Sequence, residues 1–502
     1  MDDRRELFMR ESDAFTWRME ADPQLRSTIV TVAWLAGTPD WDRMVDRLDR
    51  ATRSVPSFRM VVVEPPARLA TPRWVTSPDF DLSWHVRRIA APAPRTAATV
   101  VELARTAAMT SFDPAHPLWE FTLVENMVGG RSALLMKVHH ALTDGIGGME
   151  LAALLFDLEQ GAPPPAGEPG ETPGDHLTPR DLVRQSVAHQ AGRLGRLVGH
   201  QAAAAPGAAL RAARHPLRAV GDVVAMAASV ARTVAPVTTT LSPVMTERSL
   251  GRRLDMLTVP LAGLKAAARA GEGTLNDAFL AAVTSGLARY HERYGAPVDR
   301  LRVTLPISIR SEDDPIGGNR ITLQRFVLPV GTGDLADRFH VIGATCRAVR
   351  RERSLPHTNA IAGVLNMLPS GVVGDILKHV DVVASNVPGI SMPVHLAGAE
   401  VVGFFAWGPT IGAALNVTLL SYNGTCCIGV TIDTAAVTEA RALVDCLEAG
   451  FEEVLAFGGS HGAVGRPLAT GGFLGEPPAA QEPLRAGRRG PRSAAPRGRI
   501  DR

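Results

Sequence analysis

Cysteine is scarce in this chain of 502 residues, which holds only Cys346, Cys426, Cys427 and Cys446. None stands in a CxxC or CxxxC spacing, which excludes a zinc knuckle or a dithiol redox pair and leaves the four as small buried hydrophobes. An excess of charge is missing too. Lys+Arg 53 against Asp+Glu 51 give a formal net charge of +2, so no nucleic-acid partner held by bulk charge is expected. Lysine is almost absent, with Lys137, Lys265 and Lys378 alone, so the cationic side chains are nearly all arginine. Residues Met1 to Glu11 carry Asp2, Asp3, Arg4, Arg5, Glu6 and Arg10 and no apolar core; no secretory signal is expected, and the cytoplasm is the expected compartment. The longest uncharged run, Val401 to Ile432, is broken by Gly403, Gly408, Pro409, Gly412, Asn416, Asn423 and Gly424. It suits buried strands, and no transmembrane helix is expected. No HExxH, GxSxG elbow, Walker A or dinucleotide-binding glycine motif is expected, which removes zincin, serine-hydrolase and nucleotide chemistry as first choices.

What is present is a globular composition, 45% hydrophobic and 21% charged, in a chain long enough for two large domains with tails. Strand-like runs at Ser27 to Leu35 and Ser132 to His139 mix with helical periodicity at Trp41 to Ser54 and Ala97 to Met109, until Pro163 to Pro173 break the pattern. From Leu177 to Arg232, arginines recur at helical spacing among Leu182, Leu194, Leu197, Leu210 and Leu217, a basic amphipathic pattern. A second mixed region follows. It has a helix at Thr274 to Tyr294, strands at Arg302 to Ile309 and Thr322 to Pro329, and a hairpin turning at Asn423-Gly424. The expected division is a first lobe over residues 1–165, a linker with a basic amphipathic helical crossover over 166–250, a second lobe over 251–458, and a disordered Gly/Pro/Arg-rich tail over 459–502.

One motif stands out. Val138-His139-His140-Ala141-Leu142-Thr143-Asp144-Gly145 contains HHxxxDG, far more specific than a lone glycine pattern. Ser132 to Val138 reads as a buried strand and Gly145 to Glu159 as an apolar helix, so the histidines sit at a strand end and Asp144 at or near the helix N-cap, where α/β folds present side chains to a ligand. Consecutive strand residues face opposite ways, so His139 and His140 are ill placed to share a metal ion, and no metal is assigned. A histidine acting as base without a protein nucleophile remains. Its reference pKa of about 6.5 suits that role near neutrality.

With these residues the chain resembles the bacterial wax ester synthase/acyl-CoA:diacylglycerol acyltransferases, members of an HHxxxDG acyltransferase superfamily that includes chloramphenicol acetyltransferase and peptide-synthetase condensation domains. The resemblance runs from about Ser12 to Phe457. It includes Ser12-Asp13-Ala14-Phe15, Phe80-Asp81-Leu82 with His85-Val86, Pro117-Leu118-Trp119, Leu275-Asn276-Asp277, Leu305-Pro306-Ile307-Ser308-Ile309-Arg310, Gly318-Asn319 and Ser385-Asn386-Val387-Pro388-Gly389. The chain departs from the family at Asn126-Met127, Arg26-Ser27 and Ile390, differences that bear on acceptor choice rather than on reaction type.

The resemblance implies an α/β fold of two chloramphenicol-acetyltransferase-like lobes, each a mixed sheet with flanking helices, and an active-site tunnel between them. It implies transfer of a long-chain acyl group from acyl-CoA to diacylglycerol, a fatty alcohol, or both, with acyl-CoA as co-substrate and no cofactor. His140 would be the general base, with His139 turned to the core and Gly145 leaving room beside it. Asp144 would hold the loop by pairing with an arginine, for which Arg310 is the candidate. The oxyanion donor is left open among the Asn276 amide, a Ser or Thr hydroxyl and the backbone N–H at Gly145. Asn276 and Asp277 are read equally as an N-cap for a helix from Ala278 or as site residues, and Asn386 as substrate-binding or structural support. Residues 403–407 are read as tunnel lining or core. The expected location is peripheral, on the inner face of the cell membrane or on lipid droplets, through the basic segment. Two rival functions remain: a condensation-type acyltransferase using a carrier-protein donor, and a non-catalytic lipid-binding paralogue.

Overall fold

The computed structural model describes residues 7–143, 145–159, 178–193, 195, 237–308, 321–331, 333–352, 358–366, 374, 378–460 and 462–468. Its strands are β1 (Thr28–Leu35), β2 (Met60–Val63), β3 (Arg73–Thr76), β4 (Val86–Ala90), β5 (Trp119–Glu125), β6 (Ser132–His139), β7 (Arg252–Pro260), β8 (Arg300–Ser308), β9 (Ile321–Pro329), β10 (Val382–Ile390), β11 (His395–Leu396), β12 (Ala399–Trp407), β13 (Leu415–Tyr422) and β14 (Thr425–Asp433). They form two six-stranded sheets, in the orders β11-β12-β1-β6-β5-β4 and β7-β14-β13-β10-β8-β9, beside a β2-β3 ribbon. Both large sheets are mixed. In the first only β4 and β5 run parallel; in the second β10 runs parallel to β13 and β8.

Local pattern explains much of this. The Trp41–Ser54 and Ala97–Met109 helices span the stretches their periodicity predicts, the former capped by Asp40, whose side chain accepts the Arg43 N–H at 3.1 Å. Asn423 and Gly424 both take left-handed φ values, 41° and 80°, which a two-residue hairpin demands and which these two residue types tolerate. The helix after the histidines ends earlier than its apolar run predicts, at Leu155. Beyond it Asp157 turns inward to pair with Arg43 and Arg47 and bridges to His395.

The first sheet is completed from afar. β11 and β12, which lie within the stretch expected to form the second lobe, hydrogen-bond into the first sheet through β12 and β1 (Val30 opposite Trp407). The same strand lies against the second sheet: a Cβ at Gly429 of β14 would fall 2.1 Å from the Ala406 carbonyl oxygen, so only glycine admits this approach. The Trp407 indole N–H donates to the Asp255 carbonyl at 2.9 Å. One hydrophobic cluster surrounds the first sheet and takes in Leu254, Met256, Leu420 and Tyr422 from the second; another lies between the second sheet and the Leu275–Arg293 and Ala440–Phe457 helices.

Two buried carboxylates seat the incoming chain on the second sheet. Asp381 accepts the N–H groups of Leu241, Ser242 and Arg302, and Asp433 accepts from Ser249 and Arg252. Much of the basic amphipathic segment lies outside the described residues. In the helical stretch 179–193, Leu182 and Ser186 are buried, His189 stacks on Phe8 at 4.4 Å between ring centroids, and Arg193 pairs with Glu11. That face packs on the first lobe, so Leu182 is not the lipid-facing residue the sequence pattern predicts.

Candidate active site

β6 carries His139 as its last residue, flanked by β1 and β5. The His139 N–H donates to the Leu118 carbonyl at 3.0 Å, and the next N–H, from His140, donates to Ser27 at 2.9 Å. The His139 ring is fully buried, edge-on to Trp17 and Phe112. Its Nδ1 accepts the Ala141 N–H at 3.0 Å. A backbone N–H can only donate, so the ring proton lies on Nε2, which faces Glu20 Oε2 at 3.3 Å. Both ring nitrogens are thereby engaged by protein. His139 braces the turn that follows it, and the Leu142 N–H returns to its carbonyl at 3.0 Å.

His140, one residue on, points the other way. It borders two cavities of nearly equal volume, about 130 Å³ and about 140 Å³. Of the described residues that border both, Leu323, Val383, Ile411 and His140, only His140 exchanges protons. The first cavity is mostly apolar, walled by the helix after the motif, by β1, β6 and β12 of the first sheet and by β10 and β13 of the second. Its Asn416 and Thr418 engage one another, the Thr418 hydroxyl donating to Asn416 Oδ1 at 2.9 Å while the Asn416 amide donates to the Pro409 carbonyl at 2.7 Å. Thr143 and Ser385 also face this cavity. The second cavity is richer in hydroxyls, with Ser12, Thr16, Thr304 and Thr322, and it includes Arg325, whose pKa is lowered by burial and by the nearby Arg302.

The other residues singled out in the sequence separate. Asp144 and Arg310 lie outside the described residues; Gly145 opens the Gly145–Leu155 helix. Asn276 and Asp277 border neither cavity. The Asn276 amide meets Cys346 Sγ at 3.9 Å, and Asp277 Oδ2 accepts from the Thr274 N–H and hydroxyl, both at 2.8 Å. The helix therefore starts at Leu275 with Thr274 as its cap, close to the predicted Thr274 to Tyr294, and Asp277 completes a capping box; the alternative of Asn276 or Asp277 as N-cap of a helix from Ala278 is corrected. In β10 it is Ser385 and Val387 that border the first cavity, with Asn386 between them in the strand. In β12, Phe404 and Ala406 face the cavity while Phe405 and Trp407 are core. Sequence reasoning missed Ser385 and Thr418; strand alternation could have offered Ser385 once the covered face was known. One GxSxG spelling, at Gly458 to Gly462, follows the C-cap of the Ala440–Phe457 helix rather than a strand, and so lacks the strand-to-helix elbow of a nucleophilic serine.

Burial shifts the pKa of several groups that lie away from the cavities. The His85 ring donates from Nδ1 to the Trp119 carbonyl at 2.7 Å and is sandwiched between Phe80 and Trp119; burial pushes its pKa down to about 4. Burial raises the thiols of Cys346, Cys426 and Cys427 to about 12, which leaves them unreactive. Among the described residues no group of His, Cys, Asp or Glu is arranged to hold a metal ion, and no helix is long and apolar enough to cross a membrane.

Comparison with known proteins places this arrangement. Residues 9–279 match the family described as the wax ester synthase/diacylglycerol acyltransferase catalytic domain, and residues 317–454 match its C-terminal domain. A Mycobacterium tuberculosis H37Rv protein named "Putative diacyglycerol O-acyltransferase Rv2484c" is 39% identical over 455 residues, 89% of this chain and 91% of its own. Among solved structures, the wax ester synthase/diacylglycerol acyltransferase from Marinobacter aquaeolei VT8 superposes with a TM-score of 0.59 at 20% identity, covering 90% of this chain and 100% of that one. The first condensation domain of the calcium-dependent antibiotic synthetase also reaches 0.59, at 13% identity, over 90% of this chain and 96% of its own. At these identities the two structures bear on the fold alone.

Proposed function

The chain belongs to the wax ester synthase/diacylglycerol acyltransferase family and is an acyl-CoA-dependent O-acyltransferase, and from that premise we propose that His140 is the general base at the meeting point of its two substrates. The observation that carries this reading is that, among the described residues, His140 is the one proton-exchanging side chain bordering both cavities. The acceptor hydroxyl gives its proton to the imidazole as its oxygen attacks the thioester carbon. The carbonyl electrons move onto oxygen, then return as the carbon–sulfur bond breaks. The leaving thiolate takes the proton back from the imidazolium, so one residue serves as base and then acid and no acyl-enzyme forms. Thr143 and Ser385 border the same space, and their hydroxyls are candidate donors for the oxyanion beside the backbone N–H at Gly145; Asn276, held at Cys346, is a poor one. His139 positions His140 through the turn it braces.

Diacylglycerol and long-chain alcohols are the acceptors. A carrier-protein donor has less support, since the condensation-domain likeness is one of fold, and an intact HHxxxDG argues against a non-catalytic paralogue. The test is release of CoA thiol from palmitoyl-CoA by purified protein, dependent on added diacylglycerol or hexadecanol. Release with neither acceptor overturns the reading.

These acceptors partition into bilayers, which supports peripheral association with a membrane or lipid-droplet surface through the arginines of 177–232. Each basic group near an anionic surface contributes about 1 kcal/mol. Replacing Arg196, Arg211 and Arg214 by Gln is expected to weaken flotation with anionic liposomes and its salt sensitivity; unchanged flotation refutes the association.

A further inference from the structure

The helix that follows the motif shows the first cavity a single face. Gly148, Leu151, Ala152 and Leu155 all border it, at spacings of three and four residues, the period of one helical stripe. Three of them present aliphatic side chains. At Gly148 the backbone itself is the wall, and among the described residues a Cβ built there meets no atom within 4 Å beyond its chain neighbours and its own helix's backbone. Conformation does not require this glycine, because its φ lies outside the left-handed region, nor does close packing of the kind seen at Gly429. Glycine inside a helix lowers local helix preference. What it contributes here is room.

We propose that Gly148 determines how long an acyl chain the donor can carry, by leaving the first cavity open along this helical face. The proposal rests on the acyl-transfer reading above. The donor's chain is the occupant because it has no polar atom beyond the thioester carbonyl and the stripe offers none, while Asn416 and Thr418 on the opposite sheet engage one another. A diacylglycerol brings ester carbonyls, which the hydroxyls of Thr16, Thr304 and Thr322 and the Arg325 guanidinium of the second cavity suit better.

The test compares the full chain with Gly148→Ala and Gly148→Leu, following thiol release from octanoyl-, dodecanoyl- and palmitoyl-CoA with hexadecanol and with a shorter alcohol as acceptor, alongside thermal melts. Gly148→Leu is expected to lower kcat/KM for palmitoyl-CoA by about 10- to 100-fold and for octanoyl-CoA by less than about threefold, as added methylenes in an apolar pocket do. Gly148→Ala shifts the preference the same way by less, and neither variant melts lower, since both residues favour helix over glycine. Equal losses at every donor length with normal melting overturn the proposal, as does discrimination that appears only when the acceptor chain is varied. Wild-type protein that releases thiol from no donor overturns the acyl-transfer reading itself, and this proposal with it.

Discussion

The two lobes share a plan, a six-stranded mixed sheet flanked by helices, but they differ in how each is completed. All six strands of the second sheet come from residues 252–433, whereas the first takes β11 and β12 from residues 395–407. The lobe that carries the histidines is thus finished by chain emitted long after them. His140 itself is placed locally, by β1, β5 and the His139 brace, but the space in front of it is walled by both sheets. One residue of the pair can be made by the first lobe alone; the site cannot.

Breaking the seam between the sheets is the largest expected disturbance. Gly429→Val puts a branched side chain where the Ala406 carbonyl stands, and the backbone must shift. The expected loss exceeds about 3 kcal/mol of stability, with melting temperature and activity falling together. A variant with unchanged melting would show that the sheets do not depend on this approach.

A sharper comparison lies between the adjacent histidines. His140→Ala is expected to cut kcat/KM by at least about 100-fold without lowering the melt, the signature of a lost base. His139→Ala is expected to do the reverse in kind, losing about 2–4 kcal/mol of stability as a buried ring with both nitrogens engaged is removed. Turnover above about a tenth of wild type in His140→Ala would remove it from the base role.

The smallest effect is titration. Each lobe buries a histidine whose pKa is lowered by desolvation, His85 in the first and His291 in the second. The unfolded chain protonates His85 near 6.5 and the folded chain only near 4, so its stabilising share is complete above pH 6.5 and is lost as pH falls toward 4. By pH 5 the loss is about 2 kcal/mol. His85→Asn, which retains a donor for the Trp119 carbonyl, is expected to flatten the fall of melting temperature with acid; an unchanged slope would assign that fall to other groups such as His291.

How much of this was legible beforehand varied with the range of the interaction. The β6 strand, the Trp41–Ser54 and Ala97–Met109 helices and the Asn423-Gly424 turn follow from neighbours a few residues apart, and they match their predicted stretches closely. The capping box of Thr274 and Asp277 is equally local, a Thr three residues before an acidic side chain ahead of an apolar run. Ser385 rather than Asn386 borders the cavity because a strand's two faces are equivalent until something covers one of them.

The family, the reaction class and the histidine pair are all readable from the order of residues alone, because HHxxxDG at a strand end is a local constellation and alternation separates the two rings. The assembled fold was needed to show that β11 and β12 cross to the first sheet, that Leu182 packs inward, and that Leu323, Val383 and Ile411 meet His140 between two cavities. Those placements depend on which apolar surfaces find each other across hundreds of residues. Burial is non-directional, so local pattern cannot assign its partners.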